Sequence, residues 1–393
     1  MTVNVTGATE QTVVREVIRL LDLQDIRYRV CRFSEHCTKE ELDREASRLG
    51  LGLLETVPLD VPGRGIVLAI IPSALAVQLE DFAKLLGVRA VRIAETGESR
   101  ERLMPLELSQ GIPPVYGLAG FQTFVSPFIE RQRTVAFALD STTLVMMETG
   151  EFRRTLGNAS EVVPVPTRMR YRVYATPGRR KNEHCILGVS LESCDFYTPK
   201  LVAITEWVRN RHRHCTAMLG DGLYRLSLRL ESDMREDDAL EYSKWIARDF
   251  VHSQWPVFTF RESDCHFDFR YCSDVLTTDN HYPAYYAQVN ALFANDSVFQ
   301  ESCRAFARDF LRRKPQRQEN TDRNIDLSCR YLLEELAIIS CLAQDEPSSF
   351  VYPGSLTILE EISQGKHPGV PAPLLNIDYV ELKLKHRDRR EDS

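Results

Sequence analysis

The stretch "CILGVSLESCDFYTPKLVAITEWV", residues 185–208, holds a short apolar run, a serine and an amphipathic helical pattern, in that order. "CILGVS" reads as a buried strand, because a continuous apolar run of this length leaves no polar face. "PKLVAITEWVRNRH" reads as a helix. Ser190 falls where one gives way to the other, two residues after Gly188. Further alternation follows. "CTAMLGD" is predicted as a strand, "EDDALEYSKWIARDFV" as a helix and "PVFTFRE" as a strand. Helices are predicted over 284–313 and 324–343, then a strand at "SFVYP", a helix at "GSLTILEEISQG" and a strand at "DYVELKLK". Strands alternating with helices give a doubly wound parallel sheet. Ligands of such sheets bind beyond the carboxyl ends of the strands, which is where Ser190 sits. Gly188 would let a substrate approach the backbone closely. The pair is half of a G-x-S-x-G elbow, with Glu192 in place of the second glycine. A plain turn cap is the competing reading of Ser190.

Upstream the pattern differs. "TVVREVIRLLDLQDI" is helical and "RYRVCRF" a strand. "TKEELDREASRLG" is a helix with Thr38 as N-cap and Glu41 completing a capping box. "GIVLAIIP" (65–72) is a buried strand, "ALAVQLEDFAKLLG" an amphipathic helix closed by Gly87, and "VRAVRIA", "FQTFVSPF", "RTVAFALD" and "TLVMMETG" are strands. A chain of 393 residues exceeds one average core. The expected organisation is an α+β domain over 1–158, a linker or first strand over 159–178, and the parallel-sheet α/β domain over 179–393.

No apolar run reaches ~20 residues, so no membrane partner is expected. The first residues lack the basic-then-apolar order of an export signal. Reduced thiols among the ten cysteines and a cytoplasmic location follow as expectations. A net charge of −7 argues against a protein that coats nucleic acid indiscriminately, and DNA is not an expected partner. Composition gives no oligomeric state. "CHFDFRYC" and "RHRHC" lack the paired spacing of a zinc site, so no metal is expected.

Two further stretches carry chemistry. In "CRYLLEELAIISCL", Tyr331 and Glu335 share one helical face by their spacing of four. A carboxylate beside so apolar a stripe is costly unless paired or functional; the competing reading is a rim glutamate. Glu334 is expected to be the exposed neighbour. In "FVYPGSL", Tyr352 ends a strand and Pro353 suits a helix start.

Together, Gly188/Ser190, Tyr331/Glu335 and Tyr352 resemble the fingerprint of the cyclodipeptide synthase family, over about residues 180–385. Ser193, Tyr352 and Pro353 resemble the family group with proline after the tyrosine. The resemblance implies a Rossmann-like domain similar to the catalytic domains of tyrosyl- and tryptophanyl-tRNA synthetases. It implies aminoacyl-tRNAs as partners and a cyclic dipeptide as product. Ser190 would accept the first aminoacyl group, Tyr331 and Glu335 would bind its α-ammonium, and Tyr352 would hold the serine region. Ile186 and Phe350 are expected pocket residues beside Gly188. A synthetase would carry ATP-binding signatures; none is present, so ATP is not expected. For tRNA, Arg304, Arg308 and Arg312 lie at spacings of four, extended by Arg313, Lys314 and Arg317. Segment 236–252, where the family would place tRNA contacts, offers Lys244 and Arg248.

"KLLGVRAVRIAETGE", "GLAGFQTFVSPF" and "RTVAFALDSTTL" resemble the YbaK/prolyl-tRNA synthetase editing-domain family, over about residues 10–155. That family's lysine is absent: "LLETVPLDV" carries Glu55 there. The resemblance implies hydrolysis of mischarged aminoacyl-tRNA; without the lysine, a degenerate domain that binds tRNA or only packs is expected over active editing, with the carboxylate repelling a terminal phosphate. The alternatives to a synthase are an aminoacyl-tRNA deacylase with a binding second domain, or a non-catalytic tRNA-binding protein.

Overall fold

The computed structural model describes residues 5–94, 111–115, 121–156, 160–161, 165–176, 182–232, 234–259, 265–313 and 321–387. The chain begins with α1 (Val5–Leu23), β1 (Tyr28–Arg32), α2 (Lys39–Arg48), β2 (Gly52–Val61), β3 (Gly65–Pro72), β4 (Leu75–Val77), α3 (Leu79–Leu86), β5 (Arg92–Ile93) and β6 (Gln122–Val125). β7 (Thr134–Asp140), β8 (Thr143–Glu148), α4 (Thr149–Leu156), β9 (Ser160–Glu161) and β10 (Thr167–Met169) follow. Among the described residues these strands form an eight-stranded sheet, ordered β1-β8-β7-β2-β3-β6-β9 with β5 on β2, and a ribbon of β4 and β10. The capping box at α2 is present: Glu41 N–H donates to the Thr38 hydroxyl and Thr38 N–H to the Glu41 carboxylate. The helix expected over 74–87 is two elements. Leu75–Val77 pairs with Thr167–Met169 as a strand, and helix starts only at Leu79. A short apolar run suits either state, and a partner far along the chain decides it.

The second sheet starts with β11 (Tyr171–Ala175) and β12 (His184–Val189). After it come α5 (Lys200–Arg209), β13 (His214–Leu219), α6 (Asp221–Glu231), α7 (Glu236–Phe258), β14 (His266–Tyr271), α8 (Cys272–Thr278), α9 (Tyr282–Asn295), α10 (Ser297–Arg313), α11 (Asp322–Leu342), β15 (Ser349–Pro353), α12 (Thr357–Ser363), α13 (Ala372–Leu375) and β16 (Asp378–His386). Residues 159–178 are therefore divided: β10 joins β4, while β11 lies antiparallel on β16. The first part of "PVFTFRE" is helical rather than a strand, and its residues 260–262 lie outside the described residues. Pro256, Val257 and Phe258 end α7, and the strand is His266–Tyr271, inside the stretch considered and dismissed as a metal cluster. α6 went unanticipated. The helical stretch 284–313 breaks at Asp296, whose carboxylate accepts the N–H groups of Val298 and Phe299 to start α10.

The order of this sheet is β11-β16-β15-β12-β13-β14, and β16, β15, β12, β13 and β14 run parallel. It is an α/β, Rossmann-like arrangement with helices on both faces. Cys185, Leu187 and Val189 face the layer that includes α5 and α7; Ile186 and Phe350 face the layer of α9, α10 and α11. Burial of both faces explains why these strands read as unbroken apolar runs. From β12 the chain builds outward to β13 and β14, then returns to β15 on the other side of β12. The order reverses between β12 and β15, and that is where an open sheet binds its ligand.

Candidate active site

Ser190 follows β12 and Tyr352 lies near the carboxyl end of β15, so the reversal point brings them together. Ser190 Oγ and Tyr352 OH are 2.8 Å apart, hydrogen-bonded with either as donor. The turn after Ser190 takes the left-handed conformation that an elbow glycine would favour: Glu192 has φ 61°. A non-glycine residue there costs about 1–2 kcal/mol. The Tyr224 hydroxyl donates to the Glu192 carboxylate, which helps hold it. Ser193 caps the short turn Cys194–Phe196, accepting from Asp195 N–H at 3.4 Å.

Gly188 has a different cause from the one expected. A Cβ there would lie 2.9 Å from Phe350 Cζ and 3.2 Å from Tyr352 Cδ2. The glycine makes room for two rings of β15, not for a substrate. Ile186 and Phe350 are fully buried core residues, and Ser193 lies outside the cavity lining. Ile186 and Phe350, expected in the pocket, are part of the core, and Ser193 serves the turn after Ser190.

Beyond the strand ends is a cavity of ≈ 400 Å³ lined by Ser190, Asp195, Phe306, Phe310, Tyr331, Glu335, Tyr352 and Pro353, among others. α11 presents Tyr331 and Glu335 to it together. Tyr331 stacks on Phe310, with ring centroids 6.3 Å apart. Burial, with the Glu335 charge adding to it, pushes the Tyr331 phenol upward. Glu335 is 7% exposed and has no hydrogen-bond or ion-pair partner among the described residues. Burial alone raises its carboxyl to about 7. The cavity wall therefore carries a buried carboxyl group that no charged side chain among the described residues answers.

Glu334 is not the exposed neighbour. It is 2% exposed and clamped by Arg225, at 2.9 Å, and by Arg330, also at 2.9 Å. Both arginines, with Arg229, also hold Glu236 at the start of α7. Adjacent glutamates thus have opposite environments, one neutralised inside the structure and one facing the cavity.

Sequence reasoning missed several lining residues, among them Phe306, Phe310 and Asp195. Phe306 and Phe310 are four apart on the arginine-bearing helix, a spacing that could have marked its inner face. Asp195, paired with Lys200 at 2.8 Å, gave no signal. The basic stripe of α10 is answered by acids: Arg304 by Asp326 at 3.7 Å, Arg308 by Glu301 at 2.9 Å and Arg312 by Asp309 at 3.2 Å. Lys314, Arg317 and the Arg313 side chain lie outside the described residues. On α7, Lys244 pairs with Glu241 at 2.8 Å and Arg248 is exposed. No helix among the described residues is long and apolar enough to cross a membrane.

A parallel sheet with a cavity at its reversal point, lined by a hydroxyl and an unpaired carboxyl group, places this α/β domain among those whose open sheet offers a ligand crevice at the strand ends. Residues 178–373 match the sequence model of the cyclodipeptide synthase family. Similar solved structures include a cyclodipeptide synthase from Fluoribacter dumoffii, at 18% identity over 55% of this chain and 99% of that one, TM-score 0.45. Another is a cyclodipeptide synthase from Bacillus thermoamylovorans, at 19% identity over 55% and 97%, TM-score 0.45. A third is a Mycobacterium tuberculosis protein, at 14% identity over 54% and 93%, TM-score 0.42, described as relating cyclodipeptide synthetases to type I tRNA synthetases. No curated protein matches the chain.

Proposed function

We propose that the chain is a tRNA-dependent cyclodipeptide synthase that works through an ester on Ser190. The supporting observation is the shared cavity, in which the Ser190 hydroxyl and the unpaired Glu335 carboxylate sit at the reversal point of the sheet. In the first step the Ser190 oxygen attacks the carbonyl carbon of an aminoacyl-tRNA. A C–O bond to serine forms and the bond to the ribose oxygen breaks. The serine proton ends on the departing ribose hydroxyl. Tyr352 orients the nucleophile, and Glu335 with Tyr331 holds the α-ammonium. One ester replaces another, so no ATP is needed. The amine of a second aminoacyl-tRNA then attacks the serine ester, forming a peptide bond and returning a proton to Ser190. Finally the dipeptide's free amine attacks its own tRNA ester, closing the ring and releasing the second tRNA. Both attacking amines must be neutral, and a carboxyl near 7 is suited to relay their protons.

The chain is read as two domains, with the boundary inside 159–178. The first is read as an editing-like domain without hydrolytic activity. Glu55 is not a bare anion there. Burial pushes its carboxyl up, but Arg170 and Lys39 outweigh this and hold it at about 2. Paired in this way, Glu55 is not free to repel a phosphate, and Asp43 lies close enough to act on the same two cations.

The test is incubation with a panel of charged tRNAs followed by mass spectrometry. Cyclic dipeptides support the proposal; free amino acids would make the chain a deacylase; neither would leave a binding protein.

A further inference from the structure

The carboxyl-terminal turn of α2 packs against α7 and the loop that follows β12. Ser47 of that turn is 3% exposed and faces Gln254, fully buried on α7. The Ser47 hydroxyl donates to Gln254 Oε1 at 2.8 Å, and Gln254 Nε2 donates back to the Ser47 carbonyl at 2.7 Å. The same hydroxyl accepts from Thr198 N–H at 3.0 Å and lies 3.1 Å from Thr198 Oγ1. Next to it, Arg48 acts electrostatically on Tyr197 and Glu192. Thr198, Tyr197 and Glu192 all belong to the loop that leaves β12. That loop carries Ser190 at one end and brings Asp195 to the cavity wall. The loop has no regular element of its own beyond the turn Cys194–Phe196.

We propose that Ser47, from the N-terminal region, is a positioning residue for the Ser190 loop. A buried hydroxyl with partners on two sides fixes Thr198 N–H relative to α7, and without it this half-buried amide would lose its partner and the loop one of its ties. The loop's left-handed residue, Glu192, adds to that tendency, because strained backbone persists only where its surroundings over-determine it. On this basis the N-terminal region completes the catalytic site mechanically, whether or not it touches tRNA. This rests on the proposed role of Ser190 for its kinetic readout but not for its structural one.

The experiment uses the full chain and the variants Ser47→Ala and Ser47→Thr. The cavity of ≈ 90 Å³ beside Ser47 gives the added methyl of threonine room. Two quantities are measured: amide hydrogen exchange across residues 190–200, and kcat and KM for cyclic dipeptide formation. Ser47→Ala should speed exchange in this loop and lower kcat about tenfold or more with KM little changed, as misplacement of a reacting group does. Ser47→Thr should restore both. Unchanged exchange in the alanine variant, or a loss that threonine does not rescue, overturns the proposal. If the native chain makes no cyclic dipeptide, the synthase reading fails, while the exchange measurement still decides the role of Ser47.

Discussion

Ser190 Oγ and Tyr352 OH lie 2.8 Å apart although the two residues are 162 positions apart in the chain. The parallel pairing of β12 with β15 creates this contact, and the reversal of strand order opens the cavity in front of it. Removing only the phenol oxygen should leave the fold intact. Tyr352→Phe is expected to slow ester formation about tenfold, the equivalent of one ordinary hydrogen bond of ~1.4 kcal/mol. Single-turnover kinetics with one charged tRNA measures this, and an unchanged rate would remove Tyr352 from the orienting role.

Glu335 titrates near 7 because burial disfavours its charge. A carboxyl raised above its ordinary value of 4.5 destabilises the fold once pH exceeds that value, and the cost is complete above about 7. Glu335→Gln should therefore raise the melting temperature at pH 8, relieving on the order of 3 kcal/mol, and do little at pH 4. Activity should move the other way. The native enzyme should lose rate as pH falls through about 7, when the partner of the ammonium is protonated; the glutamine variant should be slow at every pH. Thermal melts and rate profiles across pH 4–8 check both.

Glu334→Gln should give the opposite outcome from Glu335→Gln. It removes the charge that answers Arg225 in a buried cluster. Breaking such a pair costs about 3–5 kcal/mol. Urea unfolding at pH 7 should show a large loss for Glu334→Gln and none for Glu335→Gln. Equal losses would mean that the two faces of α11 have been wrongly assigned.

Gly188→Ala tests why glycine stands there. The new methyl would meet the rings of Phe350 and Tyr352. Overpacking of this kind costs about 1–3 kcal/mol, and displacing Tyr352 should slow ester formation as well. A variant of native stability would show that the rings move aside freely.

Part of this was legible in the sequence because strands buried on both faces read as apolar runs, because Ser190 and Tyr352 fall at strand ends and because Tyr331 and Glu335 stand at helical spacing inside α11. The orientation of Glu334 was not legible. From Leu332 to Cys341 every residue of α11 is buried, so periodicity offers no exposed face. Its partner Arg225 is 109 positions away, on a helix that the sequence reading missed. "PVFTFRE" failed for a related reason: three apolar residues can end a buried helix as well as form a strand. Ile186 and Phe350 were placed in the pocket because they flank it in sequence, but alternation along β12 and β15 turns them into the core. The contact of Ser47 with the Ser190 loop had no sequence signal at all, since a serine, a threonine and a glutamine carry no pattern.

The most direct measurement is the intact mass of the protein during reaction with one charged tRNA, for the native chain and for Ser190→Ala. The native protein should gain the mass of one aminoacyl group, lose it when a second charged tRNA is added, and yield a cyclic dipeptide. The alanine variant should bind tRNA, gain no mass and make no product, because water cannot store the aminoacyl group as an ester. Cyclic dipeptide formed by Ser190→Ala at a near-native rate would contradict the central claim.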